Sequence, residues 1–216
     1  FNRAVQFSAR LNRSGIAHPR LLQARGTLVL ELSNQAREEG DRAAAARLVG
    51  EAKKDLDLAA KLNPIDAGVQ NDCGVLYLTG LQQYDAAIEF FERALQRDPG
   101  NVLAVHNIGL AYYRKQDLER ALRWFDAAIQ RKPLAITHEA RGVALYDLGG
   151  DKARAGQDLM KAVQLDPEAG RAYNYLVLCL LDLGQADQAR QVYVAMRKGG
   201  IPFLPEVRAR PEVRPW

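Results

Sequence analysis

Nucleophilic, metal-based and phosphate-binding chemistry each need particular side chains at particular spacings, and this chain of 216 residues supplies few of them. Serine occurs only at Ser8, Ser14 and Ser33 and threonine only at Thr27, Thr79 and Thr137, none within a nucleophile elbow or a phosphate loop. The run Gly149-Gly150-Asp151-Lys152 lacks the preceding strand and the spaced glycines of a phosphate loop, and reads as a turn between helices. Of the three histidines, His106 and His138 form the one pair that could meet as metal ligands. No carboxylate or cysteine stands at ligand spacing beside them, so both read as ordinary surface or rim histidines. Cys73 and Cys179 lie 106 residues apart, neither a disulfide framework nor a zinc motif, and read as small core residues. No cofactor or metal is implied, and an enzyme is the weaker functional class.

The remaining signal is periodic, so it concerns the elements that would position any functional side chain. From Val102 to Pro133 two short helices are predicted, joined by a polar turn and closed by proline. Val105, Ile108, Ala111 and Tyr112 line one apolar stripe, and Leu118, Ala121, Leu122, Phe125, Ala128 and Ile129 the other. The unit recurs. Ala87, Ala121, Ala155 and Ala189 are spaced 34 residues apart, as are Phe91, Phe125, Leu159 and Tyr193, and Pro64, Pro99, Pro133 and Pro167 close successive units at 35, 34 and 34. With a glycine on the first helix of most units, this skeleton resembles the tetratricopeptide-repeat family, bacterial type, over roughly residues 20–198.

The resemblance implies an all-α fold: a right-handed superhelical solenoid of antiparallel helix pairs. Five pairs are expected over residues 20–66, 67–100, 101–134, 135–168 and 169–198, preceded by a helix or cap over 1–19 and followed by a proline-rich tail over 199–216. In the helix or cap, Phe1, Val5, Phe7 and Leu11 would line a helix over residues 1–14. In the first pair Gly26 and Ala52 are 26 residues apart, where Gly109 and Ala121 are 12 apart. About two extra turns in each helix would keep the stripes in phase, at 3.6 residues per turn. A long hairpin is therefore predicted, breaking at Gly40-Asp41, with Leu21, Leu22, Leu28, Val29 and Leu32 facing Leu48, Ala52, Leu56, Ala59 and Leu62. Gly74 to Ala87 and Gly142 to Ala155 each span 13 residues, an addition expected to alter only the outer turn. Arg25 and Arg141 precede their glycines where the family prefers leucine, so each needs either the rim or an acidic partner. In the fifth unit Val177 replaces the glycine.

In this family first helices line a concave groove. The resemblance places Asn71, Val75, Leu78, His106, Leu110, Tyr113 and Arg114 on it, then Glu139, Val143, Tyr146, Asp147, Asn174, Leu178, Leu181 and Asp182. Such a mixture of aromatic, aliphatic and polar groups suits an extended peptide or a partner helix. Family members that grip acidic chaperone tails use a clamp of asparagine and lysine. Asn107 matches one place, but Val75 and Leu110 stand where a clamp asparagine would be, and no lysine faces the groove. The net charge of +4 is dispersed among acids without a Lys/Arg run, which disfavours nucleic acid, RNA included. The functional expectation is thus a non-enzymatic scaffold or adaptor that binds another protein.

Alanine and arginine richness with little Ser, Thr and Lys suggests a GC-rich bacterial source. Similar bacterial proteins include lipoproteins that assist pilus, secretin or exopolysaccharide assembly, and that envelope role is the more specific alternative. The longest apolar run, Leu176 to Leu181, falls far short of the ~20 residues of a membrane span. The chain starts at Phe1, as it would had a targeting segment or lipid-bearing cysteine been removed, which leaves cytoplasm and periplasm both open. Beyond Gly199-Gly200, Pro202, Pro205, Pro211 and Pro215 argue against a regular helix. The tail is expected to fold over Leu180, Leu183 and Val192 through Ile201, Phe203 and Leu204. The repeated Pro-Glu-Val-Arg would run on into solvent or to a neighbouring molecule, permitting self-association.

Overall fold

The computed structural model describes residues 18–213, so the helix expected over residues 1–14 lies outside the described residues. Eleven α-helices and no strand are found among the described residues. The chain divides into two compact units, one ending at Asn107 and the other beginning at Ile108. The first holds α1 (Pro19–Glu38), α2 (Arg42–Leu62), α3 (Ala67–Val75) and α4 (Tyr84–Arg97). The boundary falls within α5 (Val102–Arg114). The second unit continues with α6 (Leu118–Arg131), α7 (Ala135–Asp147), α8 (Lys152–Leu165), α9 (Gly170–Asp182), α10 (Ala186–Lys198) and the short α11 (Pro205–Ala209).

In the first unit, α1 and α2 are the elongated pair, with 20 and 21 residues. Pro19 occupies the first turn of α1, where its missing N–H costs nothing. The chain reverses through Gly40 at φ +85°, and the Asp41 carboxylate accepts the Ala44 N–H at 2.9 Å to start α2. The buried stripe is rotated from the expected one: Leu21 and Leu62 are exposed, while Gly26, Val29, Leu30, Ser33 and Ala36 face inward. Gly26 sets that rotation, because a Cβ added to it would stand 2.7 Å from Leu56 Cγ.

The same interlock repeats. Added Cβ atoms would meet Phe91 at Gly74, Phe125 Cδ1 at 2.7 Å from Gly109, and Leu159 Cγ at 2.8 Å from Gly142. Each large side chain is fully buried against a glycine of its own pair, with Ala87, Ala121 or Ala155 one helical turn before it and equally buried. Where Val177 replaces the glycine, its own side chain is fully buried and Tyr193, the counterpart of Phe125, is left half-buried.

The two units with one extra residue accommodate it differently. After α7 it enters the outer turn, where Gly149 takes φ +69° and Asp151 caps α8 through the Arg154 N–H at 2.8 Å. After α3 it does not, contrary to expectation. A π-helical turn over Leu76–Gly80 absorbs it inside the helix, closed by Leu81 N–H to the Leu76 carbonyl at 3.0 Å. Gly80 sits against Leu30, Leu76 and Val49 there, too close for an ordinary side chain without adjustment.

The tail also departs from expectation. It forms α11, started by Pro205, and a 3-10 turn over Pro211–Val213. The valine of each Pro-Glu-Val run turns inward instead: Val207 and Val213 are buried in one cluster with Leu176, Leu180, Met196 and, at its edge, Ile201 and Phe203. Phe203 stacks on Tyr193 at 4.3 Å between ring centroids. Asn174 donates to the Pro202 carbonyl at 3.0 Å and accepts the Leu204 N–H at 2.8 Å. Leu183 stays exposed, so the tail lies along α9 and α10 without covering all of the expected outer face.

Gly109→Ala is expected to destabilise the protein by roughly 1–3 kcal/mol, because Phe125 must leave its place to admit the methyl group; a urea titration checks it. Truncation after Gly200 uncovers Leu176, Leu180 and Met196 and removes two buried valines, each worth about 1.5–3 kcal/mol. The truncated chain should lose about 3 kcal/mol or more and self-associate, read by thermal melting and light scattering.

Candidate functional site

His106, His138 and both cysteines are buried in the interior. Burial pulls the His106 imidazole down to about 4, so it is neutral at physiological pH. His138 Nδ1 lies 3.0 Å from Asp158 Oδ1, inside the second unit. Cys73 and Cys179 are free and fully buried, and burial pushes both thiols up to about 12. Among the described residues no group of three His, Cys, Asp or Glu side chains could hold a metal.

The arginines before the glycines find acids. Arg25 makes a two-point pair with Asp55 in the first unit. In the second, Arg141 Nε and Nη2 donate to Asp158 at 2.7 and 2.6 Å, and Nη1 donates to Asp126 at 2.6 Å. Burial works against the Arg141 charge, and the bonds to Asp158 and Asp126 more than offset it. Asp55 and Asp158 both stand three residues after the second-helix alanine. In the other two glycine-bearing repeats the same two places hold Cys73 with Phe90 and Ile108 with Trp124, so these ion pairs are a polar substitute for an apolar layer.

The side chains expected on a groove divide by accessibility. Leu78, His106, Val143, Asn174, Leu178 and Leu181 are buried and have no surface to offer a partner. Leu78 belongs to the π-helical turn, Asn174 is spent on the tail, and Leu178 and Leu181 share a core cluster with Val207 and Val213. Asn71, Val75, Leu110, Tyr113, Glu139, Tyr146 and Asp182 are half-buried, and Arg114 and Asp147 are exposed. Within the first unit Asn71 accepts from Asn107 at 3.5 Å.

The second unit carries a row of tyrosines on successive first helices. Tyr113 on α5 donates to Asp147 on α7 at 2.5 Å, and Tyr146 on α7 donates to Asp182 on α9 at 3.1 Å. Tyr146 also meets Tyr175 edge-on, 5.6 Å between centroids. Tyr175, whose place is taken by alanine at 140 and asparagine at 107, escaped the repeat pattern. Burial, then the bond to Asp147, pushes the Tyr113 hydroxyl up to about 12, and burial with the charge of Asp182 raises that of Tyr146. Arg171 lies over the Tyr175 ring at 5.5 Å and 3.7 Å from Glu139, whose carboxyl burial raises against that opposing charge.

Asp182 is a hub. Besides Tyr146 it accepts from Lys152 Nζ at 2.7 Å and from Arg210 of the tail. Burial works to raise its carboxyl, and the bonds from Lys152 and Arg210 outweigh that and hold it below the ordinary carboxylate range. The bonds from one first helix to the next (Tyr113 to Asp147, Tyr146 to Asp182) thus continue into the tail through Arg210 and Asn174. The tail packs on α9 and α10, with Val207 and Val213 in their core cluster. Rigid half-buried aromatics beside carboxylates offer apolar faces and polar edges to a bound side chain.

The tetratricopeptide-repeat family model matches residues 30–102, 75–136, 106–166 and 139–200. A plant relative, the tetratricopeptide-repeat-containing thioredoxin TTL4 of Arabidopsis thaliana, is 31% identical over 87 residues, 40% of this chain; the chain spans 13% of that relative's length. Among solved structures, PilF of Pseudomonas aeruginosa is similar at 19% identity with a TM-score of 0.63, covering 82% of this chain and 78% of that one. PilW, described as a widely conserved type IV pilus biogenesis factor, is similar at 18% identity and a TM-score of 0.64, covering 84% and 80%. A thermophilic tetratricopeptide-repeat protein of Thermus thermophilus is similar at 23% identity and a TM-score of 0.61, covering 86% and 96%. At these identities the structural likeness concerns the fold. No helix among the described residues is long and apolar enough to cross a membrane.

Arg141→Leu leaves Asp158, 6% exposed, with His138 as its remaining partner among these groups, and should cost of the order of 3–5 kcal/mol in a urea melt. Adding Asp158→Leu to the same chain should recover most of that loss, because both halves of the pair are then apolar.

Proposed function

The chain belongs to the tetratricopeptide-repeat family, and on that footing we propose that it is a non-enzymatic adaptor that binds an extended peptide or helix of another protein. The observation that carries this reading is the row Tyr113, Tyr146 and Tyr175: large, rigid side chains fixed by packing on first helices, each leaving part of its ring in reach of solvent. Aromatic side chains so held lose little conformational entropy on binding and are the commonest anchors of interfaces. Asp147, Glu139 and Asp182 beside them supply polar groups that fix register. Asn71, Val75, Leu110 and Arg114 remain secondary contacts in this proposal.

A more specific reading is favoured by the company the fold keeps. Two of the similar structures are PilF and a type IV pilus biogenesis factor. An assembly role in the bacterial envelope, with this chain holding a component of a pilus or related machine, accords with that likeness. It requires the chain to act outside the cytoplasm or at its boundary.

Replacing Tyr113 and Tyr146 together by Ala tests the adaptor reading. Capture of partners from a bacterial lysate by the immobilised protein, followed by titration of the captured partner, should show a loss of about 2 kcal/mol or more, the scale of an interface hot spot. The double variant should remain helical by circular dichroism. A folded double variant that binds its partner unchanged would show that this face is not the interface.

A further inference from the structure

Asp147 and Asp182 occupy equivalent places at the ends of α7 and α9, and each accepts a tyrosine hydroxyl from the preceding first helix. They differ in what else they hold. Asp182 has two cations of its own chain: Lys152, from the start of α8, and Arg210, from the tail. The place equivalent to Lys152 at the start of α6 is Leu118, since Asp117 and Asp151 are the two helix caps that precede them. Among the described residues no ion pair is formed by Asp147, which is exposed. Arg171 influences Tyr113 electrostatically, but its closest carboxylate is Glu139.

We propose that the Tyr113–Asp147 pair is an arginine subsite, and that the partner is a basic, arginine-bearing extended peptide. The protein itself shows the occupied form of the site: the guanidinium of Arg210 lies on Asp182 beside Tyr146, delivered by a proline-punctuated segment. A guanidinium at Asp147 would gain a charge-assisted bond and lie beside the flanking tyrosine rings, an arrangement that favours arginine over lysine. Glu139 adds a second negative group on the same row, although Arg171 already faces it. This inference rests on the adaptor reading and narrows it to one partner chemistry.

The test uses the full chain labelled for NMR and two capped synthetic peptides, one with the protein's own residues 205–210, Pro-Glu-Val-Arg-Ala-Arg, and one with both arginines replaced by glutamine. The arginine peptide should shift the amides of Tyr113, Asp147 and Tyr175, the glutamine peptide should not, and Asp147→Asn should weaken the former at least tenfold. Asp182→Asn should loosen the tail yet leave binding at Asp147 in place. Equal binding of both peptides, no binding of either, an unchanged affinity in Asp147→Asn, or a loss in Asp182→Asn alone would each overturn the arginine subsite. The adaptor reading is judged separately by partner capture with the Tyr113/Tyr146 double variant. If capture depends on those tyrosines but not on Asp147, the face stands as an interface and the arginine assignment falls.

Discussion

The first four helix pairs depend on one steric exchange, in which a first-helix glycine gives up its side chain so that a large residue of the second helix can occupy the space. Gly74 with Phe91, Gly109 with Phe125 and Gly142 with Leu159 are the repeated form, and Gly26 with Leu56 is the same contact in an elongated pair. Glycine within a helix costs roughly 1 kcal/mol relative to alanine. Full burial of a Phe or Leu offsets this, at about 1.5–3 kcal/mol each. The glycine, its alanine neighbour across the pair and the large residue must all face one seam, so these three residue types recur together in the repeated units. The fifth pair shows what happens without the glycine. Val177 fills the seam, Tyr193 is left half-buried, and its ring becomes the platform on which Phe203 stacks. One substitution in a repeat thereby supplies an attachment point for the segment that follows the fifth pair.

Beside that seam the chain uses two interchangeable solutions for the next layer. Cys73 with Phe90 and Ile108 with Trp124 are apolar; Arg25 with Asp55 and Arg141 with Asp158 are ionic. An ionic pair at such depth gains little net stability over hydrophobes of similar volume, because both charges must be desolvated. It is directional, though. Arg141 ties α7 to α8 through Asp158 and to α6 through Asp126, and His138 shares the same carboxylate. These bonds hold α7, which carries Tyr146 and Asp147, to the helices on either side of it, so a stability-neutral layer contributes rigidity to the tyrosine row.

Much of the fold was legible because packing residues recur. The helix pairs, the long first hairpin with its break at Gly40-Asp41, the acidic partners of Arg25 and Arg141 and the buried cysteines all follow from spacing and burial rules. The misses share a cause: each depends on a contact that the period does not encode. An extra residue after α3 can widen a turn or enter the helix as a π turn, and the choice lies in how Gly80 fits against Leu30 and Val49, far away in sequence. Four prolines in the tail argue against helix there, yet Pro205 serves as a first-turn residue for which no N–H is needed. The candidate site was legible as a set of helix faces and not as a surface. Asn174 is spent on the tail, Leu178 and Leu181 are buried in the core cluster that also holds Val207 and Val213, and Tyr175 sits at a position where its repeat mates carry small or polar residues.

The tail and the tyrosine row are two consequences of one geometry. Along the row each acceptor takes its bond from the preceding first helix, Asp147 from Tyr113 and Asp182 from Tyr146, while the equivalent places in earlier pairs hold Thr79 and Arg114. Tyr146 to Asp182 is such a link inside the array, and Asn174 and Asp182 are the ends that Leu204 and Arg210 complete. The segment after α10 concentrates its contacts: two valines buried, one ring stacked, one guanidinium on one carboxylate. Those same few contacts are what any extended chain would need in order to bind elsewhere on first-helix faces. The segment after α10 is therefore held by the kind of interaction that the tyrosine row offers, and Asp147, one repeat earlier, is where that interaction is left open.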